Sequence, residues 1–320
     1  MAEETSTPVL NVFVTSTSDG LGREVTRQLA AKGYTVSAVT DGAGGAAQVR
    51  QDGGLPVYCD IFRAGEVAST LKITQADIII HTAPQGINTF APQNPDWDYY
   101  QRLLTEGTAA LVDGAAQAGV RFLVHTSYAF LYGNKHGEAA DESAALARED
   151  ALFKAAAQAE QTVLQGSVPA CVLRAGYLYG AESAHFTALR DTLHSGGSLA
   201  LGDDHAVASW VHAVDLANAC VLAAEQQPAG EIFNITDDQP AAPGTFADYF
   251  ADQYGVKRPG RQRVPQLLAQ MLVPPTQRAL TDVSVKATND KAKARLGWQP
   301  KYPGYQSGLE QILLAWRAHS

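Results

Sequence analysis

The chain predicts an α/β protein: a doubly wound parallel sheet with a smaller C-terminal cap. Three observations predict it. Residues 9–40 read strand, turn, helix, strand. Strands and helices then keep alternating as far as residue 180. Beyond that point Pro, Gly, Asp and Gln become frequent and the apolar runs are isolated.

The elements follow in order. Val9–Thr15 (VLNVFVT) is a short apolar run, as for a strand buried on both faces. Leu21–Lys32 has apolar residues at helical spacing and stops at Gly33. Tyr34–Thr40 is strand-like again, which makes a right-handed βαβ unit. Leu55–Cys59 reads as a strand, Ala64–Leu71 as a helix and Asp77–His81 as a buried strand. Trp97–Ala118 is a long Ala-rich helix ended by Gly119, and Phe122–Thr126 is a strand. Glu142–Gln165 is a second Ala-rich helical stretch, and Ala170–Arg174 a further strand. This is a Rossmann-like pattern, whose ligands sit beyond the carboxyl ends of the strands. The expected division is a dinucleotide-binding domain over 9–180, to which 205–236 returns, and a cap over 181–320. Segments such as Asp237–Gly244 and Val256–Arg263 read as loops.

Composition narrows the function. The 320 residues carry a net charge of −9, which argues against a nucleic-acid partner. No apolar stretch approaches the roughly 20 residues that span a bilayer, so no membrane partner is expected. The start, MAEETSTPV, has neither basic residues nor an apolar core, so no secretory signal is expected. Cys59, Cys171 and Cys220 lie far apart in apolar runs. That favours buried free thiols in a reducing, cytoplasmic setting. The eight histidines show no metal-ligand spacing, so no metal site is expected.

The first strand–helix turn runs Ser16, Thr17, Ser18, Asp19, Gly20, Leu21, Gly22. Such a turn brings backbone N–H groups against a pyrophosphate, helped by the helix N-terminus. Gly20 and Gly22 suit close approach; Ser16 stands where a first glycine would help most, and Asp19 must turn away. The second strand ends in Asp41, which would accept hydrogen bonds from adenosine ribose hydroxyls and repel a 2′-phosphate. No Arg or Lys follows until Arg50. NAD is therefore expected over NADP.

Several further segments resemble the extended short-chain dehydrogenase/reductase family, also called the NAD-dependent epimerase/dehydratase family. They are Cys59-Asp60-Ile61, ADIIIHTAP at 76–84, AGVRFLVHTSYAFLYG at 118–133, LRAGYLYG at 173–180, SWVHAVDLA at 209–217, EIFNIT at 231–236 and NDKAKARLGWQPKYP at 289–303. The resemblance implies that Asp60 and Ile61 touch adenine and that Thr82, Ala83 and Pro84 form a cofactor loop. It also implies hydride transfer with a nicotinamide. A Ser or Thr there polarises the substrate oxygen, and a Tyr-x-x-x-Lys pair moves the proton and holds ribose.

Here the chain departs from the pattern. None of its twelve tyrosines has Lys four residues later. The helix around 149–165 has Lys154 as its only lysine, with Asp150 four residues before it. Alignment by Glu160 instead puts Leu152 and Ala156 at the two positions. Counting back from Tyr132-Gly133, the substrate-polarising position falls on Tyr128, beside Ser127 and Thr126. Tyr128 and Ser127 are the expected catalytic candidates, with Lys154 on the ribose. Tyr177 and Tyr179 are weaker alternatives. Tyr128 merely filling the space of the lost pair is the plainer reading. His81 and His125 read as structural, and Asp215 as the cap of a late helix. Arg190, Arg261 and Arg263 could pair with an anionic substrate group or be ordinary surface charge.

The expected activity is oxidoreductase or epimerase-like, on a small carbonyl, hydroxyl or sugar-like substrate. A dinucleotide-binding sensor or assembly subunit without turnover is the alternative. The two Ala-rich helices also suggest a homodimer packed through small residues.

Overall fold

Residues 10–17, 20–82, 87, 95–199, 206–261 and 273–318 are described by the computed structural model. Seven parallel strands form the main sheet: β1 (Asn11–Val14), β2 (Thr35–Val39), β3 (Leu55–Val57), β4 (Ile78–His81), β5 (Phe122–Tyr128), β7 (Ala170–Ala175) and β11 (Ile232–Ile235). Their order is β11-β7-β5-β4-β1-β2-β3. Chain order reverses between β1 and β4, which opens a crevice there at the carboxyl edge. In register, His81 pairs with His125, and β5 pairs with β7 as far as Tyr128 opposite Ala175. Thr126, Ser127 and Tyr128 therefore extend past the end of β4.

The strands are apolar on both faces because helices cover both. On one face α1 (Gly20–Ala31) and α8 (Ala213–Gln226) bury Leu21, Val25, Leu29 and Leu216. On the other, α3 (Ala64–Ile73), α5 (Thr108–Ala118) and α6 (Ala151–Gln165) cover Phe13, Ile79 and Leu123. The helix α4 (Trp97–Arg102) runs through a π-helical turn, Leu103–Gly107, into α5. Gly119 ends α5 in the left-handed region, φ 76°, which glycine adopts without a Cβ clash.

Four elements depart from the sequence reading. A helix, α2 (Gly42–Gln51), stands where no element was expected; its Gly-rich start hides a helix that buries Ala46 and Val49. The second Ala-rich helix starts at Ala151, not Glu142, because the Asp150 carboxylate accepts from Leu152 N (2.8 Å) and caps it there. The segment Asn134–Ala140 is a strand, β6, paired in parallel with a strand late in the chain, Ser284–Ala287. Finally, the C-terminal part is more helical than its composition suggests: α7 (Ala184–His194), α9 (Pro243–Tyr254), α10 (Pro275–Thr281) and α11 (Tyr305–Ala318) pack there. Of Asp237–Gly244 and Val256–Arg263, the first runs into α9.

A third apolar cluster lies beyond the strand ends and joins sheet to cap through Tyr128, Phe130, Tyr177, Trp210 and Phe246. Trp210 lies in the short β10 (Trp210–His212), which pairs with β8 (Tyr177–Tyr179). The alanines of α6 turn inward: Ala155, Ala156, Ala157 and Ala159 are all buried within the chain itself. The outer groove between α4 and α6 is lined by Asp98, Gln101, Arg102, Lys154 and Gln158 together with Ala151 and Ala155. No helix among the described residues is long and apolar enough to cross a membrane.

Candidate active site

The crevice between β1 and β4 is built by hydroxyl side chains. Thr15 Oγ1 lies 2.9 Å from His81 Nδ1 and accepts from the Thr82 N–H at 3.2 Å. Thr82 Oγ1 donates to the Ser16 carbonyl at 3.3 Å, and Thr17 Oγ1 to the Val39 carbonyl at 3.0 Å. These bonds fix the strand ends on either side of the start of α1. Gly22 is demanded by packing: a Cβ there would run into the Ser16 carbonyl. Leu21 is fully buried in the core, so it offers the crevice its backbone only. The first turn of α1 carries no acidic side chain, which suits an anion. Ser18, Asp19, Ala83 and Pro84 lie outside the described residues.

Asp41 follows β2 and is exposed, at the N-cap of α2, where its side chain makes no capping bond. Asp60 Oδ1 accepts from Phe62 N (3.0 Å), and its Oδ2 lies 3.2 Å from Arg63. Ile61 is half-buried beside Gly107. A free, exposed carboxylate at the β2 end and a close-packed glycine in the first turn of α1 together fit a dinucleotide.

At the end of β5 the three hydroxyl residues have different fates. Thr126 Oγ1 donates to the His81 carbonyl at 3.3 Å. Ser127 Oγ donates to Glu160 Oε1 at 2.6 Å and is buried, so Ser127 is spent inside the fold rather than presented to a substrate. Tyr128 is 2% exposed, with its ring stacked on Phe130 at 4.6 Å. Tyr177 donates its hydroxyl to the Leu280 carbonyl (3.2 Å), and Tyr179 is fully buried.

Glu160 settles the phase of α6. It forms a two-point ion pair with Arg174 of β7, at 2.7 and 2.9 Å, with both residues buried. Leu152 and Ala156, two turns and one turn before it, are both buried on that side. Lys154 lies about 200° around the helix from either, at about 100° per residue. It is exposed in the groove against α4. Its side chain therefore leaves α6 on the side away from Leu152 and Ala156. The signal missed in the sequence was Arg174 itself, a charge in an apolar strand that requires a buried partner.

Asp215 does not cap α8. His212 does, its Nδ1 accepting from Val214 N at 3.2 Å. The Asp215 carboxylate instead accepts from Lys301 N (2.7 Å) and Tyr302 N (3.0 Å), pinning the late loop to α8. Among the described residues no cluster of His, Cys, Asp or Glu is able to hold a metal ion.

His81 and His125 sit beneath the crevice, ring centroids 5.1 Å apart, both fully buried. Burial pushes His81 down to about 4 and His125 well below its ordinary value, with nearby His81 adding to the latter. Burial also takes His212 down to about 4, and raises Asp237 to about 8 with help from the Asp238 and Asp215 charges. The unfolded chain protonates its histidines near pH 6.5 while the folded one keeps them neutral. Each of the three should therefore cost stability between pH 7 and 5, His81 and His212 about 2 kcal/mol each. Asp237 acts oppositely: it is already protonated when folded, so acidification returns about 3 kcal/mol. Urea unfolding is expected to show a net loss of stability at pH 5 relative to pH 7. Equal or greater stability at pH 5 would contradict this balance.

Comparison with known proteins gives a consistent result. A model of the NAD dependent epimerase/dehydratase family matches residues 12–236. A 3-diazoavenalumate denitrifying reductase from a Streptomyces species is 30% identical over 313 residues, covering 94% of this chain and 99% of that protein. A 4-hydroxy-2-methyl-3-oxo-4-farnesyl-3,4-dihydroquinoline-1-oxide ketoreductase of Stigmatella aurantiaca is 26% identical, covering 95% of this chain and 96% of its own. Among solved structures, the dTDP-glucose 4,6-dehydratase DesIV of Streptomyces venezuelae, with NAD and TYD bound, superposes with a TM-score of 0.80 at 21% identity, over 97% of each chain. The UDP-glucose 4-epimerase of Thermotoga maritima does so at 0.79 and 20% identity, over 97% of this chain and 99% of that one.

Proposed function

The chain belongs to the NAD dependent epimerase/dehydratase family, and from that premise we propose that it is a nicotinamide-dinucleotide-dependent reductase of a small carbonyl compound. Its proton donor does not stand on α6. One observation supports this reading: the buried Glu160–Arg174 pair lies on the same side of α6 as buried Leu152 and Ala156, the residues that alignment by Glu160 puts at the proton-transfer positions. The two relatives named for their reactions over nearly the whole chain are both reductases.

A bound reduced nicotinamide supplies the hydride. The start of α1, with Gly20, Leu21 and Gly22, holds the pyrophosphate beside Ser16, and Asp41 takes the ribose hydroxyls. Asp60 and Ile61 flank the adenine side, with Thr82 at the end of β4. Tyr128 donates its phenolic proton to the substrate oxygen as the hydride arrives, so that a carbonyl becomes an alcohol and water restores the phenol. The aromatic side chains of the cluster beyond the strand ends keep water from the reacting carbon.

The overall reading is tested by calorimetric titration with NADH and NADPH, followed by a turnover screen over aromatic and aliphatic ketones. Binding with no turnover on any of them would turn the reading toward a non-catalytic dinucleotide sensor. Wild-type protein should prefer NADH. Replacing Asp41 with Asn should cut that preference by about tenfold, the scale of one charge-assisted hydrogen bond and one repulsion. A wild-type preference for NADPH would overturn the role of Asp41. Replacing Lys154 with Ala should leave dinucleotide affinity unchanged within about twofold, because the side chain is exposed on the far side of α6. A tenfold loss in the same titration would restore it as a ribose ligand.

A further inference from the structure

The large apolar side chains exposed among the described residues are Leu55, Tyr58, Ile73, Tyr99 and Leu314. Of these, Tyr58 alone follows a strand of the main sheet at its carboxyl edge, where such sheets take their ligands. Leu55 begins β3, Ile73 ends α3, and Tyr99 and Leu314 lie within helices. Resting on the dinucleotide reading above, we propose that the Tyr58 ring is the platform on which the adenine base stacks, and that it sets affinity for the adenosine half of the cofactor.

A single exposed aromatic is ordinary, so its surroundings must decide. Two hydrogen bonds place this ring. Thr40 N donates to the Val57 carbonyl at 3.1 Å, so the ends of β2 and β3 are level, and Asp41 and Tyr58 follow them side by side. The Tyr58 hydroxyl donates to the Gly42 carbonyl at 3.4 Å. That bond draws the ring toward the start of α2, next to the carboxylate that takes the ribose hydroxyls. β3 is the last strand on that side of the sheet, so no further strand covers the ring, and Tyr58 is 61% exposed.

The polar groups that follow are already engaged. The Asp60 N–H donates to Glu66 at 2.9 Å, and the Asp60 carboxylate takes Phe62 N at 3.0 Å and Arg63 at 3.2 Å. The loop after β3 therefore offers a flat base chiefly apolar surface: the Tyr58 ring and half-buried Ile61. An aromatic face holds a base through its π surface, and truncating such a platform costs about tenfold or more in affinity.

NADH and ADP-ribose, which lacks the nicotinamide, are titrated calorimetrically into the full chain. Tyr58→Ala should weaken both by the same factor, about tenfold, because the lost contact is to the half that they share. Tyr58 is exposed, so folding should be little affected. Tyr58→Phe keeps the ring and loses only the bond to Gly42, and should bind both within about threefold of wild type. In NMR spectra of the wild type, the Tyr58 ring protons should move upfield as ADP-ribose is added, since they come to lie over the purine. Unchanged affinity in Tyr58→Ala, an equal loss in Tyr58→Phe, or ring signals that stay still while the ligand binds would each overturn the platform and leave the dinucleotide reading standing. Failure of the wild type to bind either ligand would overturn that reading itself, and the platform with it.

Discussion

Replacing Tyr128 with Phe is expected to lower turnover by about 10²–10⁴-fold, the usual contribution of a positioned general acid. The substitution removes one oxygen and keeps the ring, so the stack on Phe130 at 4.6 Å survives and folding should be little affected. The case rests on the place of Tyr128 at one strand end. Thr126 and Ser127 donate their hydroxyls to the His81 carbonyl and to Glu160. Tyr177 donates to the Leu280 carbonyl. Tyr128 is the last residue of β5, past the end of β4. The measurement is single-turnover hydride transfer at saturating NADH, with dinucleotide affinity recorded separately. Affinity should be unchanged, because the phenol acts on the substrate oxygen alone. A variant with wild-type turnover would eliminate the tyrosine, leaving water as the proton source and Tyr128 as part of the aromatic wall.

The sheet was legible because its strands are covered on both faces and so read as unbroken apolar runs. Val12–Val14 and Ile78–Ile80 admit few other readings. The helix Gly42–Gln51 was not legible, because GAGGAA carries turn signals and only its burial of Ala46 and Val49 makes it a helix. Conversely, the alanines and glutamates at 142–150 look helical but are held out of α6 by the Asp150 cap. The crevice residues followed from strand ends and needed only the order of elements. The side on which Lys154 leaves α6 was not legible for a different reason. Spacing along a helix fixes relative phase and leaves absolute phase open, and here a contact between Glu160 and Arg174, fourteen residues apart, decides it. His212 in place of Asp215 as the cap of α8 is the same kind of error, three residues wide.

That ion pair sets the second large effect: replacing Arg174 with Ala is expected to destabilise the fold by about 3–5 kcal/mol, the cost of stranding a buried charge. Arg174 is buried and gives Glu160 two bonds, while its third nitrogen donates to the Tyr132 hydroxyl at 3.0 Å. Tyr132 in turn donates to Asn234 Oδ1 at 2.7 Å, so β5, β7, β11 and α6 meet in one network. Removing the guanidinium leaves the Glu160 carboxylate with the Ser127 hydroxyl and no counter-charge. Urea unfolding at pH 7, followed by far-UV circular dichroism, reads the loss. Arg174→Met combined with Glu160→Gln removes both charges at similar volume and should recover most of it. A fall below about 1 kcal/mol for Arg174→Ala would mean that water reaches Glu160 and that the pair does not hold the helix. The same variants separate stability from chemistry. Ser127 precedes Tyr128, so a loosened Glu160 frees the end of β5, and turnover should fall further than the folded fraction does.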